Sequence, residues 1–221
     1  MPRAADPASP AEPPEDCLSQ RERRRRETWL AVHAAAFELV SNRGLDGATV
    51  DQIAERAGVS RRTFFNYFAT KEDAVLGLVP AHCPEAVLDE FRAGGDDPFR
   101  ATMRLLVGIL RASFPPALPM PDRRRIARQI PTLGERLQAQ VQSAERLAGG
   151  ILAEQLDELR SRSELPEGVR REDAARALII FAGGVMKYVA RTDPDALFDD
   201  AEGGGIDRAI DVFRIILKET L

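Results

Sequence analysis

Within seven residues, Arg61, Arg62, Thr63, Asn66 and Tyr67 supply five side chains that can each donate a hydrogen bond, and two of them are always cationic. The chemistry this suits is recognition. A guanidinium presents a planar pair of donors that matches the two acceptors on the exposed edge of guanine, and an asparagine amide can make the matching pair with adenine. Such edges are reached in the major groove of a duplex, which admits one rigid helical rod.

The flanking residues supply that rod. Thr49 can cap a helix, and Gln52 three positions later completes the pattern in which cap and third residue satisfy each other's backbone N–H groups. Val50, Ile53, Ala54 and Ala57 give this helix a small apolar face. Gly58 can take the left-handed conformation that ends it, Val59 plugs the turn, and Ser60 can cap the next helix. In that second helix Phe64, Phe65 and Phe68 lie at offsets of three and four and are expected to be buried together. Residues 49–68 therefore read as a helix-turn-helix with arginines at the start of its second helix. Two ordinary amphipathic helices of an all-α domain give the same spacing.

The string GVSRRTFFNYFATKEDAV, preceded by GLDGATVDQIAERA, resembles the signature of TetR-family transcriptional regulators from about Arg24 to Leu78. The form SRRTFFNYF is similar to actinobacterial members, among them regulators linked to the mycofactocin system. The resemblance implies an all-α protein with an N-terminal three-helix DNA-binding domain and a C-terminal helical domain that binds ligand and dimerises. It implies that Lys71, after Thr70 as cap of a fourth helix, holds a phosphate. The candidate DNA-binding set is Thr49, Ser60, Arg61, Arg62, Thr63, Asn66, Tyr67 and Lys71. Either arginine suits base reading, and Thr49, Lys71 and Tyr67 suit phosphates.

Charge distribution agrees with a DNA-binding head on a different body. The whole chain carries −4, yet Gln20 to Lys71 holds ten Lys or Arg against six Asp or Glu. The proline-rich residues 1–19 are predicted to be a disordered tail. Residues 20–69 form the predicted DNA-binding domain, and 70–221 a helical effector-binding and dimerisation domain. The run RERRRR at 21–26 suits either a solvated helical end or a basic arm reaching phosphates or the minor groove. Trp29, Val32, Ala36 and Val40 place a first helix at about 23–42, stopped by Gly44. The fourth helix is expected to run from Lys71 toward Ala93, bent or interrupted by Pro80 and Pro84.

The body reads as helical throughout. Asp97-Pro98 has the cap-then-proline order of a helix start. Residues 114–121 (FPPALPMP) are expected to be a loop, and the basic run 123–128 a solvated face. From Leu133 to Arg160 apolar residues recur at helical spacing, with a kink expected at Gly149-Gly150. Two late helices carry the stripes Ala174, Leu178, Phe181, Val185, Tyr188 and Ile206, Ile210, Phe213, Leu217, joined by an acidic loop over 192–205. Apolar residues on more than one face point either to the monomer's own core or to a homodimer interface, and the resemblance favours the dimer. A twofold dimer would demand a palindromic operator, with recognition helices about 34–36 Å apart.

Phe99, Met103, Phe114, Met120, Phe181 and Met186 could line a cavity for a small apolar effector, or could be plain core. An acyl thioester and an aromatic or drug-like compound both suit it. The predicted function is a homodimeric repressor, released from DNA by that ligand. The alternative is a small all-helical enzyme, or a ligand-binding protein without DNA binding. Catalysis needs a convergent acid, base or nucleophile set, and the two histidines, two cysteines and lack of a glycine-rich phosphate cradle supply none. No metal or cofactor is expected. At 221 residues and 44% hydrophobic the chain can bury a sizeable core, and no apolar run approaches the ~20 residues that cross a bilayer. With no signal segment and no disulfide spacing at Cys17 and Cys83, a cytoplasmic location is expected.

Overall fold

Each of the first four helices opens on a hydroxyl side chain that accepts a hydrogen bond from the backbone N–H three residues on: Ser19 from Glu22, Thr49 from Gln52, Ser60 from Thr63 and Thr70 from Asp73. The computed structural model describes residues 19–93, 97–115, 120–160, 170–192 and 205–220, and every regular element among them is an α-helix. In order these are α1 (Gln20–Arg43), α2 (Val50–Arg56), α3 (Arg61–Tyr67), α4 (Lys71–Leu76), α5 (Glu85–Ala93), α6 (Pro98–Ser113), α7 (Met120–Gln129), α8 (Pro131–Arg160), α9 (Arg171–Thr192) and α10 (Gly205–Thr220). The expected tail lies outside the described residues up to 18, as do 193–204 of the expected acidic loop.

The all-α class and the division into a three-helix head and a helical body are as expected. α1 begins earlier than the apolar spacing suggested, because Ser19 and Glu22 form a reciprocal capping box ahead of the arginines. Arg21 to Arg26 are thus the opening turns of α1 itself.

The fourth helix is interrupted before Ala93, as expected, but the break comes earlier than the prolines: α4 stops after Leu76, and the separate α5 is what ends at Ala93. Gly77 adopts a left-handed conformation (φ 58°, ψ 47°), its N–H reaches the Ala74 carbonyl, and Leu78 N–H reaches back to the Asp73 carbonyl at 2.9 Å. The same closure ends α2, with Gly58 at φ 69° and Val59 N–H on the Ala54 carbonyl at 2.9 Å. Pro80 and Pro84 keep the following segment out of a helix until α5 starts at Glu85. A Cβ on Gly77 would also stand 3.1 Å from the His33 ring, so a side chain there would be crowded as well as strained.

Three further expectations are revised in the body. α7 starts at Met120 with Pro121 in its first turn, where the missing N–H costs nothing, so residues 120 and 121 of the expected loop belong to a helix; Phe114 and Pro115 follow the end of α6, and 116–119 lie outside the described residues. The run 123–128 is not simply a solvated face. Arg123 is 1% exposed and Arg124 donates to the Ala190 carbonyl at 3.1 Å, while Arg125 and Arg128 are exposed. α8 passes through Gly149 and Gly150 as one helix of 30 residues, held on both sides by α6, α7 and α9.

α4 joins the two parts of one continuous core. Ala74, Val75 and Leu76 are fully buried, packed on α1 from the head and α8 from the body. Around them the contacts are polar. His33 of α1 faces the Ala74 carbonyl at 2.7 Å, Arg136 Nε of α8 sits 2.6 Å from Asp73 Oδ1, and Gln140 donates to Val79 O at 2.7 Å. The Asp73 contact is one of charge, without an aligned hydrogen bond. At the far side of the body Asp97 caps α6 and receives the Arg214 guanidinium of α10, while Arg100 reaches Asp207.

Candidate nucleic-acid interface

The underside of α3 fixes its orientation. Phe64 is fully buried and Phe68 is 2% exposed. Phe68 meets Trp29 of α1 with ring centroids 5.5 Å apart. Trp29 and His33 continue that row, so α1 serves as the anvil for the rod. α2 is fastened to α1 by the Arg56 guanidinium on the Glu38 carboxylate, with Nε to Oε2 at 2.9 Å. The glycine closure at Gly58 then sets the direction in which α3 departs.

The opposite face of α3 is open. Arg61, Arg62, Phe65 and Asn66 are all exposed and, at helical spacing, share one side of the rod. Thr63 and Tyr67 are half-buried at its margins, with Tyr67 packed on the core. Ser60 and Thr63 hydroxyls lie 2.8 Å apart, so the Ser60 oxygen that accepts from Thr63 N–H also holds the threonine hydroxyl at the helix start.

Arg61 is already engaged. Its Nη1 stands 2.8 Å from Asp51 Oδ2 at the start of α2, and its guanidinium lies 5.5 Å from the Phe65 ring centroid. Both charged groups are largely solvated, so the pair is weak and exchangeable. Asp51 is a neighbour of this open face that the sequence alone does not reveal. Its position two residues after the Thr49 cap is an ordinary place for an acid near a helix N-terminus, which hid its second partner.

Thr49 and Lys71 come together at one edge. Lys71 Nζ donates to the carbonyls of Leu45 and Ala48, at 2.6 and 3.1 Å, and Ala48 directly precedes Thr49. The lysine therefore stitches the start of α4 to the loop that delivers α2. Thr49 is exposed, and its hydroxyl accepts from Gln52 N–H at 3.3 Å.

One expectation fails on this surface. Phe65 is not buried with Phe64 and Phe68; it is 46% exposed. In so short a helix the i, i+4 pair Phe64 and Phe68 occupies the inner face alone, and Phe65, turned about a quarter way round, emerges among the arginines.

The body candidates fall into two groups. Phe99 of α6 meets Phe181 of α9 at 4.7 Å, and Phe181 meets Phe213 of α10 at 5.9 Å. Phe114, about 22 Å away along α6, is instead 5.6 Å from the Arg123 guanidinium. Met103 between them is fully buried, Met186 is half-buried against the core, and the Met120 side chain lies outside the described residues.

A family profile described as bacterial regulatory proteins, tetR family, matches residues 33–76, from His33 on α1 to the last residue of α4. The HTH-type transcriptional regulator TcmR of Streptomyces glaucescens is 33% identical over 180 residues, covering 77% of this chain and 73% of that protein. The putative mycofactocin biosynthesis transcriptional regulator MftR of Mycobacterium tuberculosis is 38% identical over 60 residues, 27% of this chain and 30% of its own. Among solved structures, NalD, the secondary repressor of the MexAB-OprM multidrug efflux pump in Pseudomonas aeruginosa, aligns over 86% of this chain and 96% of its own, with TM-score 0.44 and 23% identity.

Proposed function

This chain belongs to the TetR family of bacterial DNA-binding transcriptional regulators, and from that premise we propose that it works as a homodimeric repressor whose palindromic operator is vacated when a small apolar ligand binds the body. It is a regulator and not an enzyme. The observation that carries the reading is the division of α3 into a buried aromatic underside, Phe64 and Phe68, and an open face bearing Arg61, Arg62 and Asn66. A helix held so firmly from below presents its donors with little further loss of freedom on binding.

On this reading residues 20–69 are the DNA-binding domain and 70–221 the effector and dimerisation domain. Arg61, Arg62 and Asn66 meet base edges. Ser60 and Thr63 lie at the groove entrance, and Thr49, Tyr67 and Lys71 meet phosphates. Two of the three Lys71 ammonium donors serve the head's own loop, which leaves one for a phosphate oxygen.

Dimerisation is supported by α9 and α10. Ile180, Tyr188, Val212, Ile215 and Ile216 are 69%, 39%, 38%, 58% and 54% exposed, a concentration of apolar surface on two adjacent helices that a second copy would cover. Ligand control is supported by α4, whose buried face packs on both the head and α8. A ligand favouring a body arrangement that moves α4 would shift the heads, and coupling of ~1–3 kcal/mol changes DNA affinity about 5–150-fold. The site of action is the cytoplasm.

Light scattering on the purified protein, followed by sequencing of the genomic fragments it retains at low ionic strength, tests these points. A dimer and an inverted repeat in the retained fragments are expected. A monomer, or retained fragments with no shared sequence, would overturn the reading.

A further inference from the structure

Phe65 is a large aromatic side chain that does not belong to the buried core. One residue before it Phe64 is wholly buried, and three residues after it Phe68 is 2% exposed, yet 46% of Phe65 faces solvent. Leaving so much ring in water forgoes burial that its two neighbours obtain. The ring is held in place all the same. It stands edge-on to Phe64, with centroids 5.3 Å apart and planes at 86°, and the Arg61 guanidinium lies over it at 5.5 Å.

Its surroundings define what it can meet. Arg61 and Arg62 precede it and Asn66 follows it on the same exposed face, so any partner must be anionic overall and must offer donors or acceptors beside one apolar group. A protein surface complementary to this ring would need a broader apolar patch. The only other exposed large apolar side chain described in the first four helices is Leu30, on α1. Duplex DNA offers the required combination: guanine and adenine edges for the flanking residues, and the 5-methyl group of thymine as the apolar feature of the major groove.

We propose that Phe65 is a specificity-determining residue whose ring packs on the 5-methyl group of a thymine, next to the base read by Arg61. This rests on the reading that α3 enters the major groove. Phe65 adds the discrimination that the arginines cannot: it prefers thymine over cytosine at one position in each half-site, through contact rather than hydrogen bonding.

The test uses the full-length protein and a retained operator duplex in which each thymine is replaced, one at a time, by deoxyuridine. That change removes the methyl group and keeps every hydrogen-bonding atom. Affinity of the natural protein should drop about three- to fivefold at one position per half-site, as expected for one methyl group losing its contact. Phe65→Ala should bind more weakly and become indifferent to deoxyuridine at that position alone, while Phe65→Leu keeps part of the sensitivity. Because about half of the ring packs against Phe64 and Arg61, Phe65→Ala should melt somewhat lower and Phe65→Leu less so, and binding is compared at a temperature where melts show both fully folded. If the operator is bound but no deoxyuridine weakens it, or if Phe65→Ala retains the same sensitivity, the assignment of Phe65 is overturned and the groove reading stands. If no duplex is bound, both fall together.

Discussion

Arg123 Nε on α7 donates to the carbonyl oxygen of Leu76, the last residue of α4, over 2.8 Å. The same guanidinium reaches Pro115 O at 2.6 Å and Gly77 O at 3.4 Å, and lies over the Phe114 ring. A side chain of the body thus terminates the helix that follows the DNA-binding head. Burial draws the Arg123 pKa down to about 10, which leaves it cationic at neutral pH beside the carbonyls that end α4. Arg123→Met keeps the volume and strands those carbonyls, so stability should fall by about 2–4 kcal/mol. Urea unfolding measures this; a change under about 0.5 kcal/mol would mean the carbonyls find other donors.

Lys71 ties the loop before α2 to the start of α4, and on the proposed reading its third donor meets a phosphate. Lys71→Ala should lower stability by about 1 kcal/mol through the lost hydrogen bonds. It should also reduce the slope of log affinity against log salt by about one. A stability loss with an unchanged salt slope would show that the lysine only braces the head.

His33 gives the fold a pH dependence with a defined sign. Because a carbonyl only accepts, the 2.7 Å contact to Ala74 requires the proton on Nδ1. Burial lowers the His33 pKa below 6.5, the bond to Ala74 pulls it back up, and the Arg123 charge lowers it further. The unfolded chain therefore takes up a proton near pH 6.5 while the folded chain resists until lower pH. Stability should be full above pH 6.5 and decline below it, by at most about 1.4 kcal/mol per pH unit from this group. Thermal melts from pH 7.5 to 5 should show a shallower decline for His33→Gln, which keeps a donor and does not titrate; parallel curves would contradict this account.

If Arg61 meets base edges as proposed, Asp51 competes with DNA for it. The ion pair is exposed on both sides, so breaking it costs at most about 1 kcal/mol. Asp51→Asn should raise operator affinity by up to about fivefold at low salt. Titration by fluorescence anisotropy would detect this, and weaker binding would show that Asp51 orders Arg61 for the groove instead.

Where local rules decide, the sequence was legible. The Thr49–Gln52 box, the Ser60 cap, the Gly58 closure and the Asp97-Pro98 start all depend on residues within one turn, and all formed. The stop at Gly77 uses the same closure as Gly58, yet the apolar run Ala74 to Leu78 masked it and the helix was carried too far. Phe65 was misplaced because offsets of three and four fit two adjacent stripes of a seven-residue helix, and only the position of Trp29 selects one. Arg123 was read as solvated because nothing in a run of arginines marks the one that meets carbonyls 46 and 47 positions earlier. Those choices belong to tertiary packing.

The claim on which the rest depends is that the open face of α3 reads duplex sequence. Mobility shift of the retained operator against a scrambled duplex, at several salt concentrations, tests it with Arg62→Ala alongside the natural protein. The natural protein should prefer the operator by at least about 10³-fold. Arg62→Ala should lose about 1–3 kcal/mol of that preference at one base pair and keep its affinity for scrambled DNA to within a few-fold. Equal binding of operator and scrambled duplex by the natural protein, or an Arg62→Ala variant that discriminates as well as the natural protein, would contradict it.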